Sequence, residues 1–454
     1  MTTSLDPSRL KPVADTLLQQ AVGAGHIPGV VAAASSAEGT LYEAAFGERA
    51  LGTGVPMTPD TVFWLASMTK PIVGAAAMQL VEQGKLTLDE PAAKILPELA
   101  EVKLLTGWDT NGQPLLRAPK SQITLRQLLT HTAGFTSDIW NADSARYLKT
   151  MNLPRAGSGK KIALSVPLTF EPGERWEYGI NIDWAGQLVA AASGMRLGEY
   201  IQKNITEPLG MQSTGFKISP SMRARLATVH QRDPATGSLS TTPFEVPQET
   251  EFDPGGGGLY STAGDYLRFT RMILNHGRGN GHRLLKPETI AAMSQNAMGP
   301  LRVKLLRTQN KAASLDAEFF TGVEKSWGLT FMINEQLAPT GRSVGSLAWA
   351  GLPNAFFWID PKNQNDVWIG TESGGINILD RKTGRFKYLL PQKGNPNSLS
   401  RNCIKAILDD GQGRLWIGTF LGGIDVLDRK TGKYEHYKND PEFYGAVVNL
   451  GALG

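Results

Sequence analysis

Ser67 and Lys70 stand three residues apart in the run Trp64-Leu65-Ala66-Ser67-Met68-Thr69-Lys70-Pro71. A hydroxyl nucleophile and a candidate base in one Ser-x-x-Lys unit are the parts needed to open an acyl-transfer site. The stretch that follows, Ile72 to Val81, is Ala-rich and apolar almost all round, which predicts a fully buried helix closed at Gln83-Gly84. Pro71 is compatible with such a helix only in its first turn. Ser67 therefore belongs at the helix N-terminus, and Lys70, one turn on, shares its face. A lysine beside an apolar helix is partly desolvated, which favours its neutral, basic form. The Ser67 N–H is placed to meet a developing oxyanion.

The elements that must position this pair can be read along the chain. At 454 residues the protein can bury a large core and should hold two or three structural units. Leu10 to Gly23 has helical periodicity, and Gly29–Ala34 and Gly39–Gly47 read as two strands joined by a polar turn. From about Lys85 to Arg225 helices and long Pro/Gly-bearing loops dominate, with Asp89 expected to cap a helix started by Pro91. Asp253-Pro254-Gly255-Gly256-Gly257-Gly258-Leu259 must be a tight loop, and Ser261 to Asp265 opens another helix. Strand-like segments return at Trp327–Ile333 and Ser346–Ile359.

Near Asn365 the sequence changes style. Val367-Trp368-Ile369-Gly370-Thr371 and Gly374-Gly375-Ile376 return as Leu415-Trp416-Ile417-Gly418-Thr419 and Gly422-Gly423-Ile424, a period of 48 residues. Short strands, turn glycines and a repeat of this length are the signature of β-propeller blades. The runs resemble the propeller repeats in sensor regions of bacterial hybrid two-component regulators. Two blades cannot close a ring, so they either pack as an open pair of sheets or assemble with copies from other chains. Trp368, Ile369, Ile376, Trp416, Ile417 and Ile424 are expected to form an uncovered apolar face, with self-association through residues 366–440 as its outcome.

Three separated motifs, taken together, resemble the family VIII carboxylesterases, which share the serine β-lactamase and penicillin-binding-protein fold and lie near the class C β-lactamases. They are Ser67-Met68-Thr69-Lys70, Trp176-Glu177-Tyr178-Gly179-Ile180-Asn181-Ile182-Asp183, and Leu347-Ala348-Trp349-Ala350-Gly351, supported by Leu128 to Phe135, Asp253 to Asp265 and Phe356 to Pro361. The resemblance covers residues 1 to about 365. It implies an α+β fold, an antiparallel sheet flanked by helices with a mostly helical second lobe, to which the repeats add a small all-β two-blade insert. Residues 1–365 form the esterase domain, 366–440 the repeats, and 441–454 a return to the esterase domain, with the repeats a module grafted into it.

The resemblance also implies roles. Ser67 is the nucleophile, Lys70 and Tyr178 share the proton transfers, and the N–H groups of Ser67 and Leu352 form the oxyanion hole. A phenol near Lys70 has a stabilised phenolate and can act as base or relay. Trp349, Ala350, Gly351, Phe135 and Trp176 are candidates for contact with substrate. Class C enzymes have Tyr-x-Asn where this chain places Ile180 two residues after Tyr178 and Asn181 at the third. They have Lys-Thr-Gly where it has Trp349-Ala350-Gly351. Without that lysine a β-lactam carboxylate loses its natural partner, which points to neutral esters. A β-lactamase or D-amino-acid peptidase on the same fold is the alternative, as is a binding protein with a vestigial site.

Several motifs are decoys. Lys382-Thr383-Gly384 and Lys430-Thr431-Gly432 match Lys-Thr-Gly but fall in register within the repeat, as turns between blade strands. Gly341-Arg342-Ser343-Val344-Gly345 fits Gly-x-Ser-x-Gly but lacks the strand-then-helix context of a nucleophile elbow. His131, within Thr130-His131-Thr132-Ala133-Gly134, is expected to support a loop by hydrogen bonds. A net charge of +4 with no basic stripe excludes nucleic acid as an expected partner. No run approaches a membrane span, and the N-terminus lacks a charged segment followed by an apolar one, so a cytoplasmic chain with no membrane partner is expected. One cysteine, Cys403, and six scattered histidines supply no disulfide and no metal spacing. Neither a metal nor another cofactor is called for, and the expected partner is a small ester.

Overall fold

The computed structural model describes residues 7–233, 236–361, 367–370, 376–380, 385–400, 404–409, 413–419 and 423–437. Side chains are described for a smaller set, which excludes those of residues 367–388. The chain opens with helix α1 (Pro7–Gly23), followed by β1 (Gly29–Ser35) and β2 (Thr40–Gly47), an antiparallel ladder with Val30 opposite Phe46. The short strand β3 (Phe63–Trp64) then leads through a single 3₁₀ turn, Ala66–Met68, into helix α2 (Thr69–Glu82). The fold is α+β of the β-lactamase type, and α2 runs through its centre.

Ile72, Val73, Ala76, Ala77 and Leu80 have no exposed surface. Full burial of Ile72 or Leu80 contributes roughly 2 kcal/mol each. Pro71 occupies the third position of the helix, where its missing N–H leaves no intrahelical bond unmade. Helix α4 (Asn181–Ser193) packs along α2, and helix α3 (Leu125–Leu129) packs on α4; α3 is started by a capping box in which Thr124 and Gln127 satisfy each other's backbone N–H groups.

A second sheet, antiparallel throughout, consists of β7 (Lys325–Trp327), β8 (Met332–Asn334), β9 (Leu347–Gly351) and β10 (Ala355–Ile359) in that order. The run Trp327–Ile333, expected as one strand, is interrupted by the turn of the β7–β8 hairpin at residues 328–331. Gly328 N–H donates to the Phe331 carbonyl at 2.8 Å, and Thr330 adopts φ +83°. That turn lies against α2: a Cβ on Gly74 would come within 2.3 Å of Thr330 Oγ1, so only glycine lets helix and hairpin meet.

Two other expectations are corrected. Asp89 caps no helix; it pairs with Arg126, receiving Nε at 2.6 Å and Nη2 at 2.8 Å. The region between Lys85 and Arg225 is not only helices and loops, since β4 (Leu104–Trp108) and β5 (Pro114–Arg117) form a hairpin around Asp109-Thr110-Asn111-Gly112. Further on, the two-residue strand β6 (Tyr260–Ser261) pairs with β3, and helix α5 (Ala263–Leu274) follows under a Thr262 cap that accepts from Asp265 N–H.

The repeats form two sheets. β11 (Val367–Gly370), β12 (Ile376–Asp380) and β13 (Arg385–Leu389) make one; β14 (Ile404–Asp409), β15 (Arg414–Thr419), β16 (Gly423–Asp428) and β17 (Tyr434–Tyr437) make the other. Their registers coincide after a shift of 48: Val367 faces Leu379 as Leu415 faces Leu427, and Trp368 faces Ile378 as Trp416 faces Val426. The single apolar face expected from both members of the Trp-Ile pair is not what forms. Neighbours on a strand point to opposite faces. Ile417 is buried with Leu399, Leu415 and Leu427, whereas half-buried Trp416 stacks on Tyr437. The side chains of Trp368, Ile369 and Ile376, together with Cys403, Lys382-Thr383-Gly384 and residues 441–454, lie outside the described residues. Among the described residues no helix is long and apolar enough to cross a membrane.

Candidate active site

The Ser67 segment is built by crowding. Ala66 is held at φ +45°, a conformation that is strained by about 1 kcal/mol or more for a residue with a Cβ. Its neighbours hold it there. Gly351, the last residue of β9, packs so closely that a Cβ would lie 2.2 Å from the Leu65 carbonyl oxygen, which explains the glycine of Trp-Ala-Gly. From the other side, the Pro254–Leu259 loop is stitched to the segment. Trp64 Nε1 donates to the Gly257 carbonyl at 2.7 Å, Leu65 N–H to the Leu259 carbonyl at 2.9 Å, and Leu259 N–H to Thr69 Oγ1 at 3.1 Å.

On this floor Lys70 Nζ donates to Ser67 Oγ at 3.0 Å and to the Gly256 carbonyl at 2.6 Å. Lys70 is 3 % exposed while Ser67 is half-buried, so of the two it is the serine that solvent reaches, with the Lys70 amino group beneath it. Lys70 Nζ also lies 4.6 Å from the centre of the Tyr178 ring. Sequence reading placed these three groups in one site, and the structure brings them together. The hydroxyl of Tyr178, however, accepts from Trp349 Nε1 at 3.0 Å, and no hydrogen bond joins it to Ser67 or Lys70.

Tyr178 sits in an aromatic wall. Its ring centre is 4.6 Å from His131, 4.9 Å from Trp349 and 6.5 Å from Trp176; Trp327 meets Trp349 edge-on at 4.6 Å, and half-buried Phe319 covers Trp349 at 5.3 Å. Trp176 belongs to this wall but is 3 % exposed. Phe135 does not line the cleft: its side chain is fully buried and stacked on Trp184, and its carbonyl accepts from Asn181 Nδ2 at 2.8 Å. Ala350 is half-buried, and half-buried Leu352 opens the turn between β9 and β10 beside the Ser67 segment.

His131 is a post within this wall. Burial, and after it the charge of Lys70, hold its imidazole well below the ordinary value. Its Nδ1 lies 3.1 Å from Asn181 Nδ2 and 3.5 Å from Gly179 N; two donors on Nδ1 assign the ring proton to Nε2. Asn181 thus ties loops together and has no place in the cleft. Ser343 lies in the loop between β8 and β9, its N–H donating to Asp360 Oδ2 at 2.8 Å, with no helix after it. Lys430-Thr431-Gly432 is the β16–β17 turn, where Asp428 Oδ1 accepts from the N–H groups of Lys430 at 2.8 Å and Thr431 at 3.0 Å.

Two further residues at the site had no role in the sequence reading. Gly256 supplies the carbonyl that holds Lys70, and Asp183 Oδ1 accepts the Gly256 N–H at 2.9 Å. Asp183 is 4 % exposed, and burial raises its carboxyl above the usual range against the opposing pull of the Gly256 N–H and Lys70. The only sequence signals were a run of four glycines and an acid five residues after Tyr178.

Comparison with known proteins agrees with this geometry. The Beta-lactamase family matches residues 14–376, and the two component regulator propeller family matches residues 398–420. The monacolin J acid methylbutanoyltransferase of Aspergillus terreus is 34 % identical over 366 residues, 77 % of this chain and 87 % of that protein. The lovastatin esterase of Penicillium rubens is 33 % identical over 364 residues, 77 % and 90 % of the two chains. Among solved structures, a mutant of simvastatin synthase from Aspergillus terreus superposes with a TM-score of 0.67 at 32 % identity, covering 79 % of this chain and 89 % of that one. With the family matched along about four fifths of its length, the chain belongs to the beta-lactamase family, as an enzyme of its serine hydrolase and acyltransferase branch.

Proposed function

We propose that the chain is a carboxylesterase of the family VIII kind, cleaving short-chain esters through an acyl-enzyme on Ser67. The observation that carries the proposal is the 3.0 Å contact of buried Lys70 Nζ with the Ser67 hydroxyl. In the first half-reaction Lys70 Nζ takes the Ser67 proton as Oγ attacks the ester carbonyl. The oxyanion is met by the N–H groups of Ser67 and Leu352, and the departing alcohol receives a proton through Lys70 and Tyr178. A water activated by the same pair then releases the acid. Trp349 supports the preference for neutral esters, because it presents an indole where Lys-Thr-Gly enzymes present a cation.

A second reading is acyl transfer to an alcohol. It is favoured by the names of the relatives, among which a methylbutanoyltransferase and an esterase occur at nearly equal identity. The chemistry differs only in whether water or an alcohol meets the acyl-enzyme.

One set of assays tests both. A 4-nitrophenyl butyrate assay with and without an added alcohol, beside a chromogenic cephalosporin, should show Ser67-dependent ester turnover and no cephalosporin turnover. Product partition with the alcohol reads the balance of hydrolysis and transfer. Cephalosporin turnover exceeding ester turnover would overturn the esterase reading.

A further inference from the structure

We propose that Asp183 is a positioning residue for the reaction: its carboxylate fixes Gly256, and the Gly256 carbonyl in turn holds Lys70 Nζ on Ser67 Oγ. This rests on the reading of Ser67 as nucleophile and Lys70 as its base.

The connection is continuous. Asp183 Oδ1 accepts from Gly256 N–H at 2.9 Å, Gly256 O accepts from Lys70 Nζ at 2.6 Å, and Lys70 Nζ donates to Ser67 Oγ at 3.0 Å. The fit at the middle is tight: a Cβ on Gly256 would lie 2.4 Å from Asp183 Oδ2 and 3.0 Å from its Cγ, so residue 256 cannot move toward α4. An acid in the first turn of a helix is commonly there for the unpaired N–H groups of that turn. Asp183 meets its own first-turn N–H and also reaches off its helix to a loop 73 positions away. No Lys or Arg forms an ion pair with it among the described residues, and Gly256 N–H is the contact its carboxylate makes outside its own helix. The Gly256 carbonyl fixes Lys70 Nζ from one side, and the Tyr178 ring at 4.6 Å closes a second. Tyr178 and Asp183 thus steer one amino group from two ends of a six-residue segment.

The test compares Asp183→Ala, Asp183→Asn and Gly256→Ala with the wild type on 4-nitrophenyl butyrate. Rates are divided by active sites counted with a fluorophosphonate, so that unfolded protein does not enter them. Misplacing a catalytic group by about 1 Å lowers turnover by about 100-fold. Asp183→Ala is therefore expected to lose about 100-fold in kcat with KM within about threefold. Asp183→Asn keeps an oxygen acceptor for Gly256 N–H and is expected to recover to within about tenfold of wild type. Gly256→Ala, which deletes no side chain, is expected to fall with Asp183→Ala, and it carries the test with Asp183→Asn if Asp183→Ala does not fold. Titrated Asp183→Ala sites that turn over within threefold of wild type would overturn the proposal, as would an Asp183→Asn enzyme as impaired as the alanine variant. Ser67→Ala separates the two readings. Its loss of hydrolysis upholds the nucleophile whichever way the Asp183 variants fall, and hydrolysis retained by it overturns both.

Discussion

The indole N–H of Trp349 donates to the hydroxyl oxygen of Tyr178 at 3.0 Å, across 171 residues of sequence. The bond joins the strand that packs on the Ser67 segment to the residue that covers Lys70. Because the indole N–H occupies a lone pair of the Tyr178 oxygen, the phenolic proton must point away from Trp349. Trp349→Phe keeps the aromatic packing and removes the donor. It is expected to lower kcat on 4-nitrophenyl butyrate by about tenfold, the worth of one neutral hydrogen bond, with little change in KM. An unchanged kcat would leave Trp349 as packing only.

Ser67→Ala should abolish ester hydrolysis with the fold intact, since the half-buried hydroxyl fills little volume. Ser343→Ala should leave turnover within about twofold, because its backbone, not its hydroxyl, makes the contact to Asp360. Circular dichroism and kinetics on both variants check the pair.

Tyr178→Phe and Lys70→Ala are each expected to reduce turnover by at least about 100-fold, and the double variant to be little worse than the poorer single one. Residues that handle the same proton behave in this way, and a sum of independent losses would contradict it.

His131 gives stability a pH dependence whose sign follows from its burial. In the unfolded chain it takes up a proton near pH 6.5, whereas in the fold burial and the Lys70 charge keep it neutral. Below pH 6.5 the unfolded state therefore binds the extra proton, and stability falls with pH by about 1.4 kcal/mol per unit for this residue. Asp183 acts oppositely at more acid pH, because its raised carboxyl lets the folded state keep a proton that the unfolded chain has released. Urea denaturation of wild type and His131→Asn between pH 6.5 and 5 cancels the Asp183 contribution; asparagine also tolerates the φ of +58° at this position. The wild-type curve is expected to be the steeper.

Replacing residues 366–440 with a short Gly/Ser linker tests whether the repeats govern assembly. The expected result is a lower molar mass in solution with ester turnover retained, and an unchanged mass would remove the assembly role. Lys430→Ala should leave turnover unchanged, since Lys430 sits in the turn held by Asp428.

How far the sequence could be read follows from the range of each contact. Ser67 and Lys70 were legible because three residues of helix fix their relation, and buried α2 was legible from its composition. Tyr178 and Trp349 entered only through family resemblance, and the bond between them was not foreseen. The link from Asp183 to Gly256 joins residues 73 apart and leaves no local pattern. The β7–β8 turn was missed because its left-handed residue is Thr330, a β-branched type seldom found there. The β4–β5 hairpin was overlooked although Asn111-Gly112 marks its turn, because the surrounding region was read as helical. An aromatic beside a family motif fits pocket and core equally well in the sequence, and full burial assigns Phe135 to the core.

The floor beneath Ser67 is made of backbone: the left-handed Ala66, the Gly351 that abuts Leu65, and the Gly256 wedged against Asp183. Neither glycine has room for a side chain, and the left-handed backbone at Ala66 strains any residue with a Cβ. The walls above, by contrast, are the side chains of Phe319, Trp349, Ala350 and Leu352, of which only Trp349 is fully buried. Laboratory evolution of this enzyme toward new substrates therefore has a fixed half and a free half. Libraries confined to the walls can change which acyl groups and alcohols are accepted, while libraries that include the floor will be filled with inactive protein.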